Sequence, residues 1–369
     1  MIIQNPFAGA FGLDIGDLSI KLVQLAPVSF LNKKNLKIKE LRATSLPPGL
    51  IVNGEIQQPE LVRKKILHLL GKESAGYKKS IRSSWVAANL PEPKTFLKYI
   101  EIENPDNDEI TSVDIAYHAK KHLPYELEET YIDWQRVEKK DDFGKTSKIL
   151  LGASPKAITD SYDYLLESVG LNPISLEIEA ISLARALITA DKDYKGEARC
   201  ILDLGATRSS LIIYDNDSIQ FSTTLNFSGE IVTSAIEQEL KIDHIRAENL
   251  KIEKGLNYDS INPKYLPIVT TIAEDLIVEL KTAVLFYKEH FNNTNPVTHI
   301  TMCGGMANWK NIDNFISRKL KISAHPGHPW KNLFNKSLKF DQAKSLSFST
   351  AIGLALRAVQ DPFLSGYTK

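Results

Sequence analysis

Two short stretches put an aspartate, a glycine and small hydroxyl side chains where a phosphate could be held. In FGLDIGDLSIKLVQL (11–25), Asp14 is followed by Gly16, Ser19 and Lys21. In CILDLGATRSSLIIY (200–214), Asp203 is followed by Gly205 and Thr207. A glycine at a hairpin tip carries no Cβ, so backbone N–H groups can approach an anion closely. A carboxylate at the entry to each tip could hold a metal-bound water, because Mg²⁺ keeps several waters and takes one or two carboxylates. Lys21, on the returning strand, brings an ammonium within reach of a β- or γ-phosphate. Ser19 and Thr207 offer hydroxyls. Either stretch alone also reads as an ordinary strand-end turn. The two in one register read as two halves of a polyphosphate clamp.

Two further stretches fit a nucleotide. ITMCGGMANW (300–309) runs a strand into Gly304-Gly305 and then into a helix expected over about 306–320. Paired glycines there let a nucleotide lie against backbone at a helix N-terminus, although a tight structural turn would use them equally. Gly229-Glu230 opens a helix, and the later AENLK (247–251) sets Glu248 and Lys251 at i,i+3. An exposed salt bridge is the usual reason for that spacing. His118 and His122 stand at i,i+4 but lack an acidic residue or third ligand, so a solvated helix face is the better reading.

The elements that must position these residues occur twice. The first hairpin leads to an alternating strand at 35–44, a helix over 58–71 with Leu61, Ile66, Leu69 and Leu70 on one side, and a strand at 84–90. The second leads to a strand at 217–225, helices over about 229–241, 244–255 and 266–291, and a strand at 299–303. Between them, 91–175 reads β-α-β-β-α. Its first helix (108–123) opens at Asn107 or Asp108, its hairpin turns at 140–145, and its last helix starts at Pro155 and stops at Gly170. Strands followed by helices, twice over, give an α/β fold of two duplicated domains with an inserted subdomain.

Composition narrows the function classes. At 369 residues the chain is too long for one domain of about 150. Lys+Arg and Asp+Glu balance at 45 each, so no global field draws in nucleic acid or acidic lipid, and the basic run KKNLKIK (33–39) fits a solvated strand face. Two cysteines, Cys200 and Cys303, support neither a disulfide framework nor a cysteine zinc site. No apolar run approaches the ~20 residues of a bilayer span, and the N-terminus lacks the basic start of a secretory signal. A reducing, cytoplasmic setting is expected.

The ordered set of motifs resembles the actin-like ATPase superfamily: a phosphate-1 hairpin (Asp14, Gly16, Lys21), a phosphate-2 hairpin (Asp203, Gly205, Thr207) and an adenosine motif (Gly304, Gly305). Within it the chain is similar to the PilM family of type IV pilus assembly, itself similar to the division protein FtsA. YHAKKHLPYELEETYIDW (117–134), LLESVGLNPISLEIEAISLARAL (165–187) and GEIVTSAIEQEL with AENLK carry that likeness, which covers essentially the whole chain. It implies a bilobed fold with duplicated ribonuclease H-like domains, an FtsA-type insert and ATP between domains 1 and 2. The implied segments are 1–90 (subdomain 1A, first part), 91–175 (inserted subdomain 1C), 176–195 (connecting helix of 1A), 196–340 (domain 2) and 341–369 (a helix returning to domain 1).

The resemblance also implies roles. Gly16, Ser19 and Lys21 would meet the β/γ-phosphates, with Gly205 and Thr207 opposite. Asp14 and Asp203 would organise the waters of a magnesium ion. Gly229, Glu248 and Lys251 would border ribose and adenine, and Gly304-Gly305 the adenosine and α-phosphate. Glu179 stands where such enzymes keep a water-polarising side chain, and a helix N-terminal carboxylate is an equal explanation. One departure stands out: Asp17 replaces the usual Ser or Thr after DIG. A carboxylate beside a triphosphate is repelled unless it points away or meets a metal, so weakened ATP affinity or turnover is expected.

The implied function is an ATP-binding scaffold, with slow or absent hydrolysis, recruited to the inner face of the cytoplasmic membrane. It would bind the N-terminal segment of a PilN-like membrane protein in a groove between the first subdomain and the insert, and so meet the pilus platform and its motor proteins. A related type II secretion platform fits equally. An FtsA-like, self-associating membrane tether is the alternative, but it needs a basic amphipathic C-terminal helix. The last helix (about 345–359) is instead apolar nearly all round, and the nine residues DPFLSGYTK after it are too short for an anchor. A small-molecule kinase would need a polar substrate pocket that 91–175 does not supply.

Overall fold

Strand β1 (Phe11–Ile15) is buried at every position, as a central strand covered on both faces must be. A computed structural model describes residues 7–28, 35–73, 76–103, 110–137, 146–190, 192–333 and 341–359. β1 pairs antiparallel with β2 (Ser19–Pro27), which pairs with β3 (Leu36–Ser45). A small hairpin of β4 (Ile51–Val52) and β5 (Glu55–Ile56) turns at Asn53-Gly54, both at positive φ, as a tight two-residue hairpin favours. Helix α1 (Pro59–Leu70) buries Val62, Ile66, Leu69 and Leu70, whereas Leu61 is exposed. The inward face therefore keeps the i, i+4, i+7, i+8 spacing, and Leu61 falls one step off it. β6 (Trp85–Leu90) runs parallel to β1.

The insert begins with β7 (Phe96–Glu103) and α2 (Ser112–Ala119), followed by β8 (Thr130–Arg136) and β9 (Thr146–Pro155). β9 lies between β7 and β8, antiparallel to both. α2 starts later than its acidic run suggests. Thr111 caps it, and a capping box with Asp114 satisfies the first free amides. Asn107, Asp108 and the 140–145 turn lie outside the described residues. α3 (Lys156–Ser168) follows Pro155 and sends Tyr162, Leu165 and Leu166 into the core of the first sheet. β10 (Asn172–Ile178) then pairs parallel with β6, and α4 (Glu179–Leu187) follows at once. The alternation Ile174, Leu176, Ile178 is the sequence sign of that strand.

The second half repeats the plan with β11 (Ala198–Leu204), β12 (Ser209–Asp215) and β13 (Ser218–Leu225) as an antiparallel run. Helices α5 (Gly229–Leu240), α6 (His244–Lys254) and α7 (Tyr265–His290) come next, then β14 (Val297–Cys303), parallel to β11. The single helix expected over 306–320 is instead a 3₁₀ turn at Gly305–Asn308 and α8 (Ile312–Leu320). Asn311, at φ 69, breaks the path between them. β15 (Ser323–Pro326) pairs with β14, α9 (Gln342–Leu346) follows, and α10 (Ser349–Val359) closes the described chain.

The described residues divide into two units. One holds residues up to Ala190 with Pro329–Leu333 and α10; the other holds 192–328 with 341–347. Strand order is β10-β6-β1-β2-β3 in the first and β15-β14-β11-β12-β13 in the second. These are the same five-strand plan, three antiparallel then two parallel, which establishes the duplication read from the two Asp-x-Gly motifs. Each has its own core, the first around Phe11, Leu13, Ile66 and Tyr162, the second around Leu202, Leu211, Val269 and Met302. No described helix is long and apolar enough to cross a membrane.

Candidate functional site

The β1–β2 and β11–β12 turns close in the same way. Gly16 N–H donates to Ser19 O at 3.0 Å, and Gly205 N–H donates to Arg208 O at 3.0 Å. The glycine amides are therefore spent inside their own turns. The two glycines differ in what a Cβ would meet. A Cβ on Gly16 would stand 3.4 Å from Ser19 O, an ordinary contact, whereas one on Gly205 would overlap Arg208 O. Gly205 is required by its turn. The Gly16 turn leaves room for a Cβ.

Asp14 and Lys21 are cross-strand partners, and Lys21 Nζ donates to Asp14 Oδ2 at 3.0 Å. Ser210 holds the position opposite Asp203 in the second unit. Asp203 instead accepts from Cys303 Sγ at 3.5 Å, at the foot of the Gly304-Gly305 turn. Each unit thus offers one carboxylate beside its turn. Among the described residues no cluster of three or more His, Cys, Asp or Glu could grip a metal directly, and His118 and His122 form none. Asn89, buried at the end of β6, accepts from Ile15 N–H at 2.8 Å and so fixes the chain one residue before Gly16.

Asp17 has backbone partners of its own. Its carboxylate is 6% exposed and accepts from Asn53 N–H at 3.2 Å and Gly54 N–H at 3.1 Å. The charge is turned into the β4–β5 turn and hydrogen-bonded there, the orientation in which the repulsion expected of it would be weakened.

In the second unit Lys251 is not the exposed partner that its spacing suggests. It is 4% exposed, and its Nζ donates to Gly229 O at 3.0 Å, Thr233 Oγ1 at 2.8 Å and Glu248 Oε2 at 2.6 Å. Burial pushes the Glu248 carboxyl up, but hydrogen bonds from Lys251 and Thr233 and the nearby positive charges outweigh it and hold it below the usual range. This network ties α5 to α6 around the Gly229 backbone. Trp309 Nε1 donates to Lys251 O at 3.1 Å, which joins the same network to the Gly304-Gly305 turn. At that turn the two glycines have opposite surroundings. Gly304, at φ +81, would put a Cβ 2.5 Å from Asp203 Oδ1, while Gly305 has open space.

Glu179 is 9% exposed at the first position of α4, and Thr350 Oγ1 donates to its Oε1 at 3.0 Å. A carboxylate there is favoured by the helix dipole. The hydroxyls of Thr233 and Thr350, the Asn89 amide and the Asn53-Gly54 turn were not legible as site elements, because each reaches its partner across a long sequence gap.

The first unit also carries a cleft of about 600 Å³ between β8, β9 and β10. Ile132, Trp134, Leu97, Ile178 and Ile181 give it apolar walls. At one side Arg185 grips Glu177 with two bonds of 2.7 and 3.0 Å, and Arg357 Nε stands 3.3 Å from the same carboxylate. The partner groove expected beside the insert had no residues assigned to it from sequence, and this cleft supplies candidates.

Among curated proteins, cell division protein FtsA of Buchnera aphidicola subsp. Baizongia pistaciae is 25% identical over 217 residues, 51% of this chain and 50% of that protein. FtsA of Buchnera aphidicola subsp. Acyrthosiphon pisum is 24% identical over 276 residues, 69% and 63% respectively. The chain thus spans about half to 63% of the length of these relatives. Among solved structures, a PilM-PilN type IV pilus biogenesis complex superposes with a TM-score of 0.79 at 20% identity, covering 96% of this chain and 100% of that one. MreB5 of Spiroplasma citri bound to AMPPNP superposes at 0.52 and 13% identity, covering 97% and 98%. The fold is that of the actin-like ATPases. The family described as type IV pilus assembly protein PilM matches residues 12–359, and the chain belongs to that family.

Proposed function

We propose that this chain is an ATP-binding scaffold of the type IV pilus assembly platform that takes the N-terminal segment of a PilN-like protein. The observation that carries the nucleotide reading is the pair of matched turns, Gly16 to Ser19 and Gly205 to Arg208, each beside one carboxylate. Ser19, Lys21 and Thr207 bind the phosphates, with Gly16 and Gly205 shaping the turns that receive them. Gly229, Glu248 and Lys251 form the wall for ribose and base. Gly305 gives the nucleoside open backbone to lie on. Asp14 and Asp203 hold magnesium-bound waters, a role that suits single carboxylates better than direct ligation. The ion would supply charge neutralisation at the phosphates. Glu179 orients a water. Thr350 holds one of its oxygens and leaves the other to accept from that water.

The β8–β10 cleft receives the partner. Its volume and its mixture of apolar walls with the Glu177, Arg185 and Arg357 charges suit an extended segment, which gains affinity from main-chain bonds and a few anchor side chains. That partner resides in the inner membrane, so the scaffold meets the membrane, the rest of the platform and its motor proteins through it. Two measurements test the proposal. Protein purified in magnesium buffer after incubation with ATP, then denatured, should release close to one intact ATP per chain, and an empty site would overturn the nucleotide reading. A labelled N-terminal peptide of the cognate PilN should bind the wild type and lose affinity for Ile178→Glu. Equal binding to both would remove the cleft from consideration.

A further inference from the structure

The Asp17 carboxylate joins the β1–β2 turn to the β4–β5 hairpin. Its two acceptor bonds hold Asn53 and Gly54, the whole turn of the β4–β5 hairpin. On the far side of that turn Gly54 O accepts from the Tyr162 hydroxyl at 2.9 Å, across 108 residues of sequence. Tyr162 is fully buried on α3, the helix that leaves β9 of the insert. Gly54, at φ +78, also packs so closely on Pro91 that an added Cβ would stand 2.6 Å from its ring Cγ. Lys94, just after Pro91 at the entry to the insert, pairs with Glu55 of the same hairpin at 2.5 Å.

A hairpin with two residues per strand has almost no stability of its own, so its position is set by what grips it. Here the grips are the phosphate turn on one side and the insert's entry and exit on the other. We infer that the Asn53-Gly54 hairpin is a relay, with Asp17 and Tyr162 as its positioning residues, through which nucleotide at the β1–β2 turn tightens α3. Thr159 of α3 lines the partner cleft, so the same motion reaches the surface that takes the peptide. This rests on the nucleotide reading of the β1–β2 turn. It explains why an aspartate is tolerated after Ile15-Gly16: the side chain serves the hairpin and not the phosphate.

Hydrogen–deuterium exchange on the full chain, with and without ATP and magnesium, tests it. In the wild type ATP should slow exchange at least fivefold in 11–24, 50–57 and 156–168, the low end of ordinary site-to-site coupling at about 5–150-fold. Tyr162→Phe keeps the buried ring and removes only the hydroxyl. It should retain the ATP effect at 11–24 and lose it at 156–168, and Asp17→Asn should lose it at both 50–57 and 156–168. Protection of 11–24 alone in the wild type overturns the relay while leaving the nucleotide site standing. So does undiminished protection of 156–168 in Tyr162→Phe. No protection anywhere overturns both.

Discussion

Gly304 and Gly305 are adjacent, but the structure gives them different duties, and alanine at each separates fold from ligand. At Gly304 an alanine must adopt φ +81, and its Cβ would stand 2.5 Å from Asp203 Oδ1 and closer still to Leu204 O. That conformation, with ψ 171, is open essentially only to glycine and costs about 1–3 kcal/mol for a residue with a Cβ. Forcing a methyl against fixed backbone adds about 1–3 kcal/mol. Gly304→Ala should therefore lose roughly 2–6 kcal/mol from the second unit. For a domain of this size that is roughly 4–24 °C in melting temperature, read by calorimetry. Gly305 has ordinary φ and no atom within 4 Å of an added Cβ, so Gly305→Ala should melt within about 0.5 kcal/mol of wild type. Its methyl would instead occupy the space given to the nucleoside. ATP affinity, followed by fluorescent-analogue titration, should fall about 5–150-fold for a clash of ~1–3 kcal/mol. A Gly304→Ala protein that melts with the wild type would refute the strain reasoning. A Gly305→Ala protein with unchanged ATP affinity would refute the placement of nucleotide on this turn.

The remaining predictions address single contacts. Asp17→Ser should cost about 1–3 kcal/mol, because a hydroxyl cannot reach both amides of the Asn53-Gly54 turn, and should leave ATP affinity within twofold; a tenfold tighter site would restore the view that the carboxylate repels phosphate. Arg199, Thr298 and Lys192 hydrogen-bond the Glu197 carboxylate, and the Arg199 bond above all depresses its pKa from 4.5 to about 2. Its stabilisation is present above the unfolded value and lost as pH falls through about 2. Glu197→Gln should thus flatten the drop in melting temperature between pH 4.5 and 2, and an equally steep drop in both proteins would count against it. Gly353→Ala would bring its Cβ to 2.5 Å from the Ser182 carbonyl carbon and push α10 off α4. A loss of about 1–3 kcal/mol is expected in denaturant titration, and none would mean that the two helices can slide apart freely.

The sequence by itself determined the repeated plan. Alternation around Asp14 and Asp203, glycine at each tip and the long apolar period of Tyr265–His290 are local patterns, and each became the element that its period demands, whereas the single helix expected over about 345–359 is split between α9 (Gln342–Leu346) and α10 (Ser349–Val359). Position within a helix face was less secure, as Leu61 and Val62 show, because one step of 100° separates core from solvent. The tertiary structure alone decided which way polar side chains turn. Asp17 looked like a liability beside a phosphate until Asn53 and Gly54, 36 and 37 residues on, took its charge. Lys251 looked exposed until Gly229 and Thr233 enclosed it, and Gly304 and Gly305 looked alike until Asp203 and Leu204 crowded only the first. A hydrogen-bond partner or a close backbone costs or contributes free energy only where the fold brings it, and neither leaves a mark in the spacing of nearby residues.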